Sequence, residues 1–127
     1  MTDQQEKVRR FHHVCGVPQF VAPTVCSLRD QALMLNLIQE ETNELDQAML
    51  DGNMVEIADA LGDLLYVVLG AANRHGIDLE PVFDEIHRSN MTKTGPDGNI
   101  HMRSDGKILK PVTYEAPQLD AILAAQR

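Results

Sequence analysis

Two stretches, Glu40-Glu41-Thr42-Asn43-Glu44 and Glu56-Ile57-Ala58-Asp59-Ala60-Leu61-Gly62-Asp63, place six carboxylates close together in the chain. An all-oxygen set with no histidine or cysteine at ligand spacing selects a hard cation, Mg²⁺ or Mn²⁺, over zinc. Such ions clamp phosphate oxygens and activate water, so the chemistry in view is metal-assisted hydrolysis of a phosphorylated ligand. Glu41 and Glu44 would lie one helical turn apart, as would Asp59 and Asp63, with Glu56 one turn earlier. These five are the candidate metal ligands. Glu40 and Glu44 continue a stripe begun by Leu33 and Leu37, which directs at least two of the glutamates toward the core side.

From Asp30 to Asn73 there are nine acids and no lysine or arginine. A solvated helix interleaves signs at i,i+4, because unpaired like charges there are destabilising. Here the counter-charge has to come from elsewhere. A buried carboxylate cluster without partners is costly, and a divalent cation is the usual remedy. A di-iron carboxylate bundle would need Glu-x-x-His, and no histidine follows any of these glutamates at that spacing. An EF-hand is excluded because the acids sit on helices and not in a twelve-residue loop. The competing reading makes the acids a solvated face, and Asp46 and Asp51 fit it.

From Arg88 to Lys110 the balance reverses, with Arg88, Lys93, Arg103, Lys107 and Lys110 against Asp97 and Asp105. Cations on a turn-rich segment suit an anionic ligand, which makes Arg88, Lys93 and Lys107 candidate substrate contacts. Asn90 could hydrogen-bond a base or sugar edge. The plainer alternative is that these residues balance the acidic helices. His12, His13, His75, His87 and His101 form no constellation, and Ser89, Cys15 and Cys26 have no base at motif spacing, so nucleophilic catalysis lacks support. Gly62 and Gly70, inside an apolar stretch, are expected to permit close helix approach. No phosphate-cradling glycine loop is present.

The elements that must position these residues are helical. Apolar periodicity predicts helices over 3–14, 28–50, 54–75 and 78–90, with Ser27 and Asp78 as N-caps and Gly76 as a left-handed C-cap. The 54–75 segment is apolar nearly all round, as for a helix central to a bundle or an oligomer interface. Gly95-Pro96-Asp97-Gly98 and Asp105-Gly106 predict a hairpin-like tail near 99–110, and 119–125 a last helical turn or two. At 127 residues the chain is read as one all-α domain, a helical bundle with its core about 28–91 and a basic tail about 92–127. A net charge of −8 argues against nucleic-acid polymers and anionic membranes as partners. The two cysteines are too few for a disulfide framework, and no signal-like or membrane-spanning run appears, so a cytoplasmic location is expected.

Glu41-Thr42-Asn43-Glu44, with Glu40 as a preceding extra acid, followed by Glu56-Ile-Ala-Asp59-Ala-Leu-Gly-Asp63, resembles the signature of the MazG-like all-alpha nucleoside triphosphate pyrophosphatases. The run His87-Arg-Ser-Asn90-Met-Thr-Lys93 and the Asp-Gly-Lys107-x-x-Lys110-Pro tail are similar to a phosphoribosyl-ATP pyrophosphohydrolase-like branch of that superfamily. One departure stands out: Ala60, three residues before Asp63, occupies a place where MazG proper has a glutamate. The second acidic pair therefore maps to Glu56 and Asp59 or to Asp59 and Asp63, the shared helix face favouring the latter. The resemblance implies a MazG-like bundle that self-associates as a dimer or tetramer. It implies Mg²⁺-dependent cleavage of a nucleoside triphosphate to the monophosphate and pyrophosphate, in nucleotide-pool house-cleaning. A carboxylate such as Glu41 or Glu40 would orient or deprotonate the attacking water, and Lys93, Asn90 and Lys107 would contact the nucleotide. Phosphoribosyl-ATP hydrolysis in histidine synthesis is the alternative within enzymes. A non-catalytic helical dimerisation module is the alternative outside them.

Overall fold

Short polar caps decide where the helices begin in this structure, a computed structural model that describes residues 1–127. Helix α1 (Asp3–Val14) starts where Thr2 Oγ1 accepts the Gln5 amide at 3.2 Å. Helix α2 (Leu28–Asp51) starts where Ser27 Oγ accepts the Asp30 amide at 3.2 Å and donates to its carboxylate at 2.8 Å. Helix α3 (Met54–His75) starts where Asn53 Oδ1 takes the amides of Val55 and Glu56. Each cap satisfies first-turn donors that have no partner within the helix. Gly52 and Gly76 close α2 and α3 at φ +64° and +70°, a conformation that excludes most other residues. At Gly76 space is closed too, since a Cβ there would sit 2.3 Å from the Ala22 carbonyl oxygen.

These three helices belong to a first compact unit, Met1–Leu79 with Gln126–Arg127. Helix α3 packs against both α1 and α2. Its core is built from small and flexible side chains, among them Val8, Met34, Ala48, Ala60, Leu69 and Ala72. A buried amide pair locks α1 to the end of α3. Gln5, wholly buried, donates from Nε2 to Asn73 Oδ1 at 3.0 Å and to the Ile77 carbonyl at 2.7 Å. Its Oε1 accepts the Leu79 amide at 3.1 Å, and Asn73 Nδ2 donates back to the Gln5 carbonyl at 3.1 Å. Both Gln5 amide atoms are thereby used, as burial demands.

The second unit is Glu80–Ala125. It holds most of helix α4 (Leu79–Met91) and the short helix α5 (Asp120–Ala124). Arg88 clamps α4 to the returning tail, donating to Glu85 at 2.8 and 2.9 Å and to Glu115 at 2.8 Å. Buried Ser89 adds a bond from Oγ to the Glu115 carbonyl at 2.7 Å. The hairpin-like tail is present as one antiparallel bridge, Met102 with Ile108, turned by Gly106 at φ +88°. No helix is long and apolar enough to cross a membrane. Leu35, Val55 and Leu65 stand 66%, 78% and 52% exposed, so the apolar faces of α2 and α3 are not enclosed by this chain alone.

Gln5→Ala should lower the unfolding free energy by about 3 kcal/mol, since it strands the Leu79 amide, the Ile77 carbonyl and Asn73 together. Urea denaturation measures it, and a loss under about 1 kcal/mol would show that the amide pair does not secure α1.

Candidate metal centre

Helices α2 and α3 leave the Gly52–Asn53 turn side by side, so residues at similar distances from the turn stand level with each other. Glu41 and Asp63 are such a pair. Together with Glu44 they present three carboxylate oxygens that all lie within 4.8 Å of one another. Glu41 is half-buried, while Glu44 and Asp63 are exposed. Oε2 of Glu41 is closed off from solvent and has no hydrogen-bond partner. Burial pushes the Glu41 carboxyl above its usual range, and the charges of Glu44 and Asp63, a hydrogen bond with Glu44 and the charge of Glu40 act in the same direction. Three convergent carboxylate oxygens, beside a buried Glu41 oxygen that has no partner, fit a hard divalent cation, which would supply the missing positive charge.

One turn closer to the hairpin bend, Glu44, Gln47, Ala48, Glu56, Asp59 and Ala60 line a cavity of about 320 Å³. Glu44 therefore belongs to both sets. The two sequence registers coexist: Asp63 lies with Glu41 and Glu44, whereas Asp59 and Glu56 share the neighbouring cavity with Glu44. Ala60 is buried in the wall of that cavity. Gln47 was invisible to motif reading, and its Nε2 donates to Asp51 at 2.9 Å.

Several sequence expectations change. Glu40 is exposed and outside the trio, and of the α2 glutamates only Glu41 is part-buried, because the guiding stripe itself is open: Leu33 and Leu37 are 48% and 38% exposed. Asp30 does have a counter-charge, an ion pair with Arg74 from just beyond the unpaired stretch. Nothing lies within 4 Å of a Cβ built on Gly62, so that glycine serves no close approach; at Gly70 the His12 ring would come to 2.9 Å, and there the expectation holds. In the second unit, the Arg88 guanidinium is committed to Glu85 and Glu115, which leaves it a tail anchor and not an open anion contact. Arg103 pairs with Asp105, and Lys110 Nζ stands 5.0 Å over the Tyr114 ring. Lys93 is half-buried, and Asn90 and Lys107 are exposed.

The family model for phosphoribosyl-ATP pyrophosphohydrolase matches residues 8–90, more than half of the chain. A 48-residue stretch, 38% of this chain, is 50% identical to Uncharacterized protein L479 of Acanthamoeba polyphaga mimivirus. The chain covers 19% of that relative's length. A protein from Exiguobacterium sp. 255-15, assigned as an NTP pyrophosphohydrolase and solved by crystallography at 1.78 Å, aligns at 26% identity with a TM-score of 0.47, over 98% of this chain and 94% of that one.

Mg²⁺ or Mn²⁺ at 100 times its dissociation constant should stabilise the fold by about 2.7 kcal/mol. Glu44→Gln and Asp63→Asn should each remove most of the resulting rise in Tm, while Asp46→Asn should keep it. An unchanged rise in the first two would place the ion elsewhere. Folding raises the pKa of Glu41, so the folded chain holds that proton more tightly than the unfolded one. The metal-free protein should therefore lose stability as pH climbs from the unfolded carboxylate range through the folded pKa of Glu41. Saturating Mg²⁺ should flatten that slope in thermal melts across acidic pH.

Proposed function

Because this chain belongs to the phosphoribosyl-ATP pyrophosphohydrolase family, we propose that it is a divalent-metal-dependent nucleotide pyrophosphohydrolase that converts a nucleoside triphosphate to the monophosphate and pyrophosphate. The observation that carries the metal dependence is the trio of Glu41, Glu44 and Asp63, together with the unpartnered Oε2 of Glu41. A non-catalytic dimerisation module gives no reason for keeping such a carboxylate, whose burial and like-charged neighbours weaken the fold.

In this reading Glu41, Glu44 and Asp63 hold the first ion, and Asp59 and Glu56 complete the set around Glu44. When bound, Mg²⁺ or Mn²⁺ neutralises phosphate charge and lowers the pKa of water. Hydrolysis adds one water across the bond between the α and β phosphates. Glu41 or Glu40 would orient that water and accept its proton. Glu40, exposed beside it, contributes negative charge that makes Glu41 more basic. Asn90, Lys93 and Lys107 are proposed as contributors to nucleotide affinity, with Arg88 holding the tail. The exposed apolar residues of α2 and α3 support self-association, which would cover them.

Phosphoribosyl-ATP is the second substrate reading, favoured by the family model that matches residues 8–90. Pyrophosphate release, measured over a panel of ribo- and deoxynucleoside triphosphates and phosphoribosyl-ATP, with Mg²⁺, Mn²⁺ or chelator, tests the proposal and separates the substrates. Release from at least one nucleotide should depend on metal and fall by at least about 100-fold in Glu41→Gln. No metal-dependent release from any member of the panel would overturn the reading. Lys93→Ala should act mainly on KM.

A further inference from the structure

A groove of about 780 Å³ runs along the side of α1 turned away from its buried residues Gln5 and Val8. One wall is α1 itself, where Glu6, Arg9, Arg10 and His13 recur at three- and four-residue spacing and share a face. The other wall is the returning chain, with Val17, Gln19 and Phe20. Gly16 at φ +69° reverses the direction after α1. The Val17 amide then donates to the His12 carbonyl at 2.8 Å, and the Phe20 amide donates to the Arg74 carbonyl at 3.3 Å. Backbone bonds hold both ends of this wall, so the groove is part of the fold.

The chain carries a net charge of −8, a field that disfavours small anions in general. This groove runs against it. Arg10 pairs with Glu6 at 3.3 Å, which leaves Arg9 as a cation without an ion-pair partner, and His13 follows Arg9 by one turn on the same face. Gln19 is pinned between the two walls. Its Nε2 donates to the Arg9 carbonyl at 3.2 Å, which fixes Oε1 on the other side of the amide, closed off from solvent and without a partner. Arg9, Gln19 and Phe20 also line an adjoining cavity of about 240 Å³, whose one acid, Asp78, is paired with the Met1 amino group at 3.0 Å. An unpaired cation, an unsatisfied acceptor and a ring that stands 48% exposed thus meet on three neighbouring side chains.

We infer that this groove is a metal-independent binding site for a small phosphomonoester, with the phosphoryl group at Arg9 and His13 and the apolar body against Phe20 and Val17. Its volume falls in the usual small-ligand range of roughly 300–1,000 Å³. Arginine meets phosphoryl oxygens through paired N–H donors. A carboxylate suits the site less well, because it offers Gln19 no donor while ionised. A phosphomonoester, whose second pKa is about 6, keeps one hydroxyl while still anionic. The groove shares no residue with Glu41, Glu44 and Asp63 and needs no ion, so this site goes beyond the proposed hydrolysis and does not rest on it.

Phenyl phosphate is the probe, titrated into the full chain in chelator near the second phosphate pKa of about 6 and read by backbone and side-chain amide NMR. It should shift the Gln19 side-chain amide and the Phe20 backbone amide saturably, with a dissociation constant of about 1 mM or tighter. Inorganic phosphate, which lacks the ring, and benzoate, which carries a carboxylate on it, should each bind at least about fivefold more weakly. Arg9→Ala, at an exposed position, should weaken phenyl phosphate about tenfold. Lys7→Ala removes the same charge from α1 outside the groove and should leave binding within about twofold. Equal losses in the two variants would reduce the effect to diffuse attraction and overturn the site, as would the absence of any saturable shift. Phosphate or benzoate binding as tightly as phenyl phosphate would overturn the ligand class. Shifts centred on the α2–α3 carboxylates would overturn the location. Self-association through this groove, seen by sedimentation and abolished by Arg9→Ala, would make it an interface between copies and overturn the inference too.

Discussion

Three carboxylate oxygens within 4.8 Å of one another repel, and the helix hairpin that carries them has no basic side chain from Gln31 to Asn73 to answer them. Two unit charges at such separations interact by roughly 1 kcal/mol in water and several times that where solvent is partly excluded. The Glu41 carboxyl records this repulsion together with its own burial, because its proton is held more tightly than on an ordinary glutamate. A divalent cation among the three oxygens would offset that repulsion, and the features around the trio are those that keep the carboxylates level and close. Asn53 caps α3 immediately after Gly52 ends α2, so the two helices return side by side with Glu41 opposite Asp63. Buried Ala48 and Ala60, one near each side of the bend, let the helix backbones approach there.

The remaining contacts of the first unit secure α1 against α3. Gln5 and Asn73 exchange hydrogen bonds at one end, and Gly70 admits the His12 ring at the other. Closure of α1 over the hairpin creates the apolar cavity beside the acids, with Arg74 at its rim held by Asp30. The hairpin thus carries two chemically opposite compartments one helical turn apart, an acidic one and a mostly apolar one with buried polar nitrogens.

Most of the helix boundaries were legible in the sequence because their signals are local. Ser27, Asn53, Gly52 and Gly76 act on amides or carbonyls within a few residues of themselves. The acid trio was legible in outline, since the missing lysines and arginines mark the same hairpin. Its membership was not: spacing along one helix shows which residues share a face but not which face meets the neighbour, so the second pair stayed open between Glu56–Asp59 and Asp59–Asp63, with the shared face favouring the latter. The Asp30–Arg74 pair spans 44 residues and the Gln5–Asn73 bond spans 68, distances at which no periodicity argument operates. The cavity escaped for the same reason. Phe11, His12 and Tyr66 signal nothing singly, and only the crossing of α1 over α3 brings them together. The pairing of Arg88 with Glu85 and Glu115 was not legible either, since Glu115 lies 27 residues away along the chain.

The central claim is that a divalent ion sits among Glu41, Glu44 and Asp63. Paramagnetic broadening by substoichiometric Mn²⁺, read residue by residue in an amide NMR spectrum, locates it without any mutation. The account expects amides around residues 40–45 and 59–64 to vanish first, with the Asp97–Asp105 tail and the Asp46 and Asp51 face unaffected at the same Mn²⁺ level. Broadening that centres on the tail, or that spreads evenly over every exposed acid, would contradict it.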